Sequence, residues 1–290
     1  MKRISLFLII IAALTGCSPR VYSDFCFVQM SDPQIGFRDN SPEFVHTDSL
    51  FDLAVKEVNL LKPECVIITG DLINDQRDML QDSIYRANRA KIEAPVYEVP
   101  GNHDIRPWTK DNHSNYLNLR GYERFSFRLN GCAFIGIDSN CILDGCDEER
   151  GKGEKTTLSE EDKAAAKIEE EEQLKWLKRE LKRARKCRYI FVFLHCPVIL
   201  EDMDEANTYF NFPKGKRAEY VALFKEYGVA AVFAGHTHME YETTADGIRF
   251  VTAGPVGSPL GRGYSGYEVI NITKNGFLTA YKGTVLPKNN

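Results

Sequence analysis

The sequence lacks the features that mark several common classes of protein. Its 37 basic and 41 acidic side chains give a formal net charge of −4, so there is no basic excess of the kind that nucleic-acid binding needs. Its eight cysteines include no C-x2-C pair, which argues against a zinc finger. After residue 17 no apolar run is long enough to span a bilayer, and there is no internal repeat or low-complexity linker. We therefore expect one large α/β domain and no nucleic-acid partner.

The beginning of the chain has the layout of a secretory signal peptide. Two basic residues at positions 2 and 3 precede an apolar stretch over residues 4–14 and then small residues. The LTGC segment at 14–17 resembles the bacterial lipobox, whose cysteine is diacylated. We expect a lipoprotein signal peptide at 1–16, lipidation at Cys17 and a domain over 17–290, which implies a membrane contact through the lipid and a place in the bacterial cell envelope, facing the periplasm or the cell surface. An ordinary signal peptide with a chance cysteine is the alternative.

Strand and helix patterns alternate in the first half of the chain. Strands are predicted near 25–30, 65–69 and 96–99, with helices at 41–62 and about 75–90, and this βαβαβ order predicts a parallel sheet with right-handed crossovers. The helix at 75–90 is expected to bury Leu80, Ile84 and Ala87. The second half is predicted to contain a hairpin (125–129 and 132–138), helices (158–186 and 216–227) and strands (189–194, 229–234, 248–253, 267–272 and 277–281). Residues 141–157 are predicted to form a loop, in which Cys141 and Cys146 could pair in an oxidising compartment.

Polar side chains follow five of the predicted strands, at the point where each strand ends. They are Asp32 and Gln34, Asp71, the run Asn102-His103-Asp104, His195, and the pair His236 and His238. Because the carboxyl ends of parallel strands meet at one crevice, we expect these side chains to lie together. Carboxylates, amides and imidazoles without thiolates suit divalent ions such as Mn, Fe, Zn or Co. The set is too large for one ion and suits two ions that share Asp71.

The order of these motifs, D-x-Q, G-D, G-N-H-D, H and G-H-x-H, resembles that of the calcineurin-like metallophosphoesterases. The resemblance covers nearly the whole mature chain and implies a four-layer α/β/β/α sandwich that hydrolyses phosphoric esters. It implies three ligand roles: Asp32, Gln34 and His238 on metal one, Asn102, His195 and His236 on metal two, and Asp71 as the bridge. It also implies His103 as the catalytic histidine and Asp104 as the residue that orients its ring. A helix cap for the following segment is the alternative role for Asp104.

Several segments resemble a subgroup described as complete serine/threonine protein phosphatases, which carries Gln where most relatives have the first His. These segments are 32–36, 195–201, 204–211 and 257–262. The amide oxygen of Gln34 is a harder ligand than imidazole and favours Mn or Mg over Zn, so Mn is expected among Mn, Fe, Zn and Mg. The subgroup match implies that Tyr209 and Arg262 bind substrate. Arg106 is also expected to bind substrate, because it follows the catalytic loop. Loop packing is the alternative role for all three.

We expect the phosphorylated substrate to be a phosphomonoester, for example of the phosphoserine or phosphothreonine type, hydrolysed by a water that two metals share. A phosphodiester or a nucleotide pyrophosphate is the alternative substrate. A phosphate-ligand binding protein without turnover is the alternative from another class, because Gln34 could weaken one metal. The sequence makes no prediction of oligomeric state.

Overall fold

The computed structural model describes residues 22–41, 43–148 and 158–286. The strands are β1 (Phe25–Met30), β2 (Val66–Thr69), β3 (Val96–Val99), β4 (Phe125–Leu129), β5 (Cys132–Gly136), β6 (Tyr189–Phe193), β7 (Ala231–Ala234), β8 (Tyr241–Ala245), β9 (Ile248–Thr252), β10 (Gly266–Thr273) and β11 (Gly276–Gly283). The helices are α1 (Val45–Leu61), α2 (Met79–Arg89), α3 (Asn102–Ile105), α4 (Lys110–Arg120), α5 (Ser139–Asp144), α6 (Glu160–Ala184) and α7 (Lys214–Tyr227). Among these described residues, no helix has the length and apolar character needed to cross a membrane.

The strands form two sheets. The first has the order β11-β10-β1-β2-β3 and the second the order β4-β5-β6-β7-β9-β8. The predicted parallel arrangement of β1, β2 and β3 is confirmed, as is the antiparallel hairpin of β4 and β5. Within the second sheet, β5, β6, β7 and β9 are parallel. Each sheet therefore directs several strand ends to the same edge.

Alternation along the strands separates the layers, because successive side chains of a strand point to opposite faces. In β1, Phe27 lies in the apolar cluster between the sheets, whereas Val28 lies in the cluster that includes the helices. The ring of Phe27 contacts those of Phe134 and Phe233, at centroid distances of 5.0 and 5.8 Å. Helices α1, α6 and α7 bury apolar faces on the outer sides. The predicted four-layer α/β/β/α sandwich is confirmed.

Helix α2 does not bury the face that its apolar residues predict. Leu80 is 48% exposed, Ala87 is exposed, and Ile84 is half-buried against the core. The buried residues are instead Gln81, Asp82, Tyr85 and Asn88. Polar partners explain this, since Arg120 pairs with Asp82 at 2.6 Å and the Tyr85 hydroxyl donates to Glu98 at 2.7 Å. The prediction failed because a buried polar face is stabilised by partners on other elements.

The segment predicted as a loop from residue 141 begins inside a helix. The Asp138 side chain accepts a hydrogen bond from the backbone N–H of Asn140 and so caps α5. Every residue of α5 is buried. The thiols of Cys141 and Cys146 are free, so the pairing considered for them is not present in the structure.

Candidate functional site

The predicted strand-end residues meet where the edges of the two sheets adjoin. The loops after β1 and β2 of the first sheet carry Asp32, Gln34 and Asp71, and Asn102 is the first residue of α3, which follows β3. The loops after β6 and β7 of the second sheet carry His195, His236 and His238. The two sets contact one another. The distance from His238 Nε2 to Asp32 Oδ1 is 3.5 Å, and that from His195 Nε2 to Asp71 Oδ1 is 3.3 Å. Side chains that are far apart in the sequence are therefore brought into one buried cluster.

The backbone of this cluster is strained. Five of its residues have positive φ angles, namely Asp32 (49°), Gln34 (33°), Asp71 (48°), His236 (72°) and His238 (55°). Residues other than glycine rarely adopt this conformation, and each instance costs on the order of 1–3 kcal/mol. Such strain concentrates at functional sites, where the surrounding fold enforces it.

Two glycines allow the strand-end loops to approach this closely. A Cβ atom on Gly101 would overlap the backbone of Asp71, and one on Gly235 would overlap the hydroxyl of Ser31. Ser31 itself donates to Asp32 Oδ2, which also accepts the backbone N–H of His236 at 2.9 Å. The G-N-H-D and G-H-x-H motifs therefore carry glycine for reasons of space.

Within this cluster, two groups of three side chains have the spacing of metal ligands. Asp71, His195 and His236 form one, and Asp32, Asp71 and His238 form the other; the ligand atoms of each group lie within 4.8 Å of one another. Asp71 belongs to both. Within the described ranges, Asp32 Oδ1 and Gln34 Oε1 are buried without a hydrogen-bond partner, as expected for oxygens that face a cation. These residues fit two divalent ions.

Backbone carbonyls orient the imidazole rings. His195 Nδ1 lies 2.7 Å from the carbonyl oxygen of Thr69, and His238 Nδ1 lies 2.7 Å from that of Ser258. Each contact places the ring proton on Nδ1 and directs Nε2 toward the carboxylates. Fixing the tautomer in this way is the usual support for a metal-binding histidine.

Burial and charge act in opposite directions on the ionisable groups. Burial raises the pKa of Asp32. It would also raise the pKa of Asp71, but the neighbouring His195 and His103 outweigh it and the pKa of Asp71 is lowered. Burial acts to lower the pKa of His195, whereas the carboxylates of Asp71 and Asp32 raise it, to about 9. Asp71 is thus the carboxylate that the site keeps ionised.

The ring of His103 is held differently from the way predicted. Its Nδ1 lies 2.7 Å from the backbone carbonyl oxygen of Asn74, and its backbone N–H donates to Asp71 Oδ1 at 2.8 Å. The Asp104 carboxylate instead accepts the backbone N–H groups of Gly101 (2.8 Å) and Leu72 (3.1 Å). Asp104 therefore joins the start of α3 to the loop after β2, and Asn74 orients the His103 ring.

The three residues predicted to bind substrate have different surroundings. The hydroxyl of Tyr209 accepts a hydrogen bond from Asn102 Nδ2 at 3.1 Å, so Tyr209 lies at the cluster. The guanidinium of Arg106 pairs with Asp144 at 2.7 Å, and its side chain is only 9% exposed. Arg262 is exposed on a loop that contacts His238, through the backbone N–H of Leu260 and the carbonyl of His238 (3.4 Å). Cys17 lies outside the described residues.

Sequence reasoning did not single out Asn74, Ser258 or Ser31. Asn74 and Ser258 act on the histidines through backbone carbonyls, which have no signature in residue type. Asn74 also accepts a hydrogen bond from Gln34 Nε2 through its side chain, at 3.4 Å. The one available signal was position, because Asn74 follows the Gly-Asp pair and Ser31 precedes Asp32.

A model of the family described as calcineurin-like phosphoesterase matches residues 27–240. The chain belongs to this family. The serine/threonine-protein phosphatase CPPED1 of Danio rerio is 28% identical over 279 residues, which cover 89% of this chain and 84% of that protein. The probable glycerophosphodiester phosphodiesterase GpdQ of Arcobacter nitrofigilis is 27% identical over 205 residues, covering 66% and 63% of the two chains.

A solved structure shares the fold. The dimetal phosphatase from Danio rerio superimposes with a TM-score of 0.64 at 15% sequence identity, over 89% of this chain and 96% of that one. Family membership identifies the chain as a metal-dependent phosphoric ester hydrolase and implies divalent metal ions. The two ligand groups are consistent with that requirement.

Proposed function

We propose that the protein is a two-metal phosphatase that hydrolyses a phosphomonoester. The observation that carries the proposal is the pair of ligand groups that share Asp71. Two ions about 3.5–4 Å apart can clamp the attacking and leaving oxygens of an in-line displacement. A shared carboxylate is the simplest way for a protein to hold two cations at that spacing.

In this proposal each side chain has one role. Asp32, Gln34 and His238 would hold the first metal, Asn102, His195 and His236 would hold the second, and Asp71 would be shared by both. When bound, the two ions would polarise the phosphate and lower the pKa of a water that they share. Because Nδ1 of His103 faces the carbonyl oxygen of Asn74, Nε2 is the ring nitrogen left for the leaving oxygen, and the imidazolium form of His103 would give that oxygen its Nε2 proton.

The Gln34 side chain bears on the metal and on the alternative of a protein without turnover. Its buried Oε1 offers a hard amide oxygen where an imidazole nitrogen would favour zinc, so we propose Mn among Mn, Fe, Zn and Mg. A binding protein without turnover would be expected to have lost ligands. Both three-residue groups are present here, which supports an enzyme.

The relatives bear on the choice of substrate. CPPED1 is named a serine/threonine-protein phosphatase and aligns with most of this chain, which supports a phosphomonoester of the phosphoserine or phosphothreonine type. GpdQ is named a probable phosphodiesterase and aligns with a smaller part. This alignment favours a phosphodiester as the second candidate substrate.

A substrate panel tests the proposal. With Mn²⁺, we expect kcat/KM for para-nitrophenyl phosphate and phosphoserine peptides to exceed that for bis-para-nitrophenyl phosphate and ADP-ribose by at least about tenfold, a difference of about 1.4 kcal/mol in transition-state stabilisation. Chelation should abolish turnover, and added Mn²⁺ should restore it. A preference for the diester or the pyrophosphate would contradict the phosphomonoester. A single bound metal without turnover would favour a binding protein.

We also propose that the chain is a lipoprotein anchored at Cys17 in the bacterial cell envelope, with residues 1–16 as its signal peptide. The support is the LTGC segment at 14–17, and lipid chains supply membrane affinity. Expressed in a bacterium, the full chain should incorporate labelled palmitate, and Cys17→Ala should not. Cys146→Ala is the matched control and should label normally. Label retained by Cys17→Ala would refute the assignment.

A further inference from the structure

The connection between β6 and α7 carries Tyr209 to the cluster. We call its residues 197–212 the Tyr209 loop. The loop is closed at its base by a hydrogen bond from the backbone N–H of Phe212 to the carbonyl of Pro197, at 3.0 Å. Compact loops with adjoining ends and internal packing are frequently functional.

A buried arginine of α7 binds the backbone of this loop. Arg217 is fully buried, and its Nη1 donates to the carbonyls of Met203 and Glu205, both at 2.9 Å. Its Nη2 donates to the carbonyl of Phe212 at 3.0 Å, and the Glu205 carboxylate lies 3.6 Å away. Burying a charge is costly unless it is paired and hydrogen-bonded. One guanidinium therefore fixes three backbone positions of the loop.

Glu205 and Asn211 complete the internal structure of the loop. The Glu205 carboxylate accepts the backbone N–H groups of Leu200 (3.1 Å) and Glu201 (2.6 Å) and the side-chain amide of Asn211 (2.8 Å). The Asn211 oxygen in turn accepts the backbone N–H of Thr208 at 2.8 Å. The backbone on either side of Tyr209 is thus tied to the Arg217 anchor.

Tyr209 contacts two proposed ligands of the same metal. Its hydroxyl accepts a hydrogen bond from Asn102 Nδ2 at 3.1 Å. Its backbone carbonyl lies 3.0 Å from His236 Nε2, and its ring centroid lies 4.8 Å from that of the His236 ring. Loss of a group that orients a metal ligand in this way typically weakens metal binding by about 10- to 100-fold.

We propose that Arg217 is a positioning residue for the second metal. Through the Tyr209 loop it keeps Tyr209 against Asn102 and His236, and so sets the affinity of the metal position that these two residues share with His195 and Asp71. The inference rests on the proposed two-metal function. It adds to that function a dependence on the Tyr209 loop and its anchor on α7, which supply no metal ligand themselves.

Calorimetric titration of the metal-free protein with Mn²⁺ tests the inference. Asn102→Ala identifies which binding step belongs to the second metal. Arg217→Lys keeps the positive charge but loses the two Nη donors that bind the loop carbonyls. We expect it to weaken binding of the second metal by about 10- to 100-fold and to leave the other binding step unchanged. Hydrogen exchange at residues 200–202 should become faster. Arg183→Lys is the matched control, because Arg183 is 64% exposed on α6, and it should change neither step.

A second variant keeps the inference testable if Arg217→Lys does not fold, as judged by circular dichroism. Tyr209→Phe removes only the hydroxyl and should weaken the same step by about 10-fold, the lower end of the range for loss of one supporting contact. Wild-type affinity in folded Arg217→Lys, or equal weakening of both steps, would overturn the inference. If Arg217→Lys is unfolded, wild-type affinity in Tyr209→Phe would overturn it. Fewer than two Mn²⁺ bound by the unaltered protein would refute the proposed function itself.

Discussion

Replacing Asp71 with asparagine is expected to reduce phosphatase turnover by about 10³-fold or more, since the metals supply several kcal/mol of transition-state stabilisation and each 1.36 kcal/mol is tenfold in rate. Asp71 belongs to both ligand groups, so the loss of one charge weakens both metal positions. No other side chain in these two groups has that property. The fold should survive, because asparagine retains an acceptor for the His103 backbone N–H that Asp71 Oδ1 now binds at 2.8 Å.

The measurement combines bound-metal content after gel filtration with turnover of para-nitrophenyl phosphate. Asp71→Asn should retain fewer than two Mn²⁺ and show a circular dichroism spectrum like that of the unaltered protein. Asp246→Asn is the matched control, because Asp246 is a half-exposed carboxylate that pairs with Lys225. Two Mn²⁺ and full turnover in Asp71→Asn would refute the bridging role and with it the two-metal proposal.

The strands and the site residues at their ends could be predicted together, because a polar residue directly follows each apolar run. A buried parallel strand is a continuous β-branched or apolar run, and the polar residue that interrupts the run marks the edge of the sheet. For β2, the run over 66–69 and Asp71 after it identify both the strand and its contribution to the site. Convergence then follows from topology, since parallel strands deliver their carboxyl ends to one edge.

The contacts that hold the site could not be predicted in the same way. Asn74 and Ser258 orient histidines through backbone carbonyls, and every residue of the chain carries a backbone carbonyl. The Asp104 carboxylate also binds backbone N–H groups, so its residue type suggested a partner that the fold does not supply. Helix α2 shows the converse, because its polar residues are buried by partners on β3 and α4. Residue type indicates chemistry, whereas a polar partner is settled by tertiary structure.

Arg217 extends this argument from contacts to a whole loop. A fully buried arginine is rare unless it is paired, yet in the sequence Arg217 is one cation in a run of basic residues at the start of α7. The structure separates it from that run, because its guanidinium meets three carbonyls of the Tyr209 loop. Its importance depends on what the loop contacts. Tyr209 meets Asn102 and His236, which follow strands of different sheets and are proposed to share one metal.

Replacing His103 with alanine is expected to reduce kcat by about 10²- to 10⁴-fold, the range for loss of a general acid. The loss should depend on the leaving group, because para-nitrophenolate departs without a proton whereas the alkoxide of phosphoserine requires one. We therefore expect the larger loss with a phosphoserine peptide and the smaller loss with para-nitrophenyl phosphate. The comparison separates a proton donor from a residue that only stabilises the phosphoryl oxygens, since the latter would affect both substrates alike.

Metal content separates the same variant from a ligand variant. The His103 ring belongs to neither of the two ligand groups that share Asp71, and its Nδ1 is held by the carbonyl of Asn74. His103→Ala should therefore retain two Mn²⁺ while turnover falls, the opposite of the pattern expected for Asp71→Asn. His46→Ala, at an exposed position on α1, is the control and should match the unaltered protein. Equal losses with both substrates would leave His103 as a group that steadies the phosphate, and loss of metal would place it among the ligands.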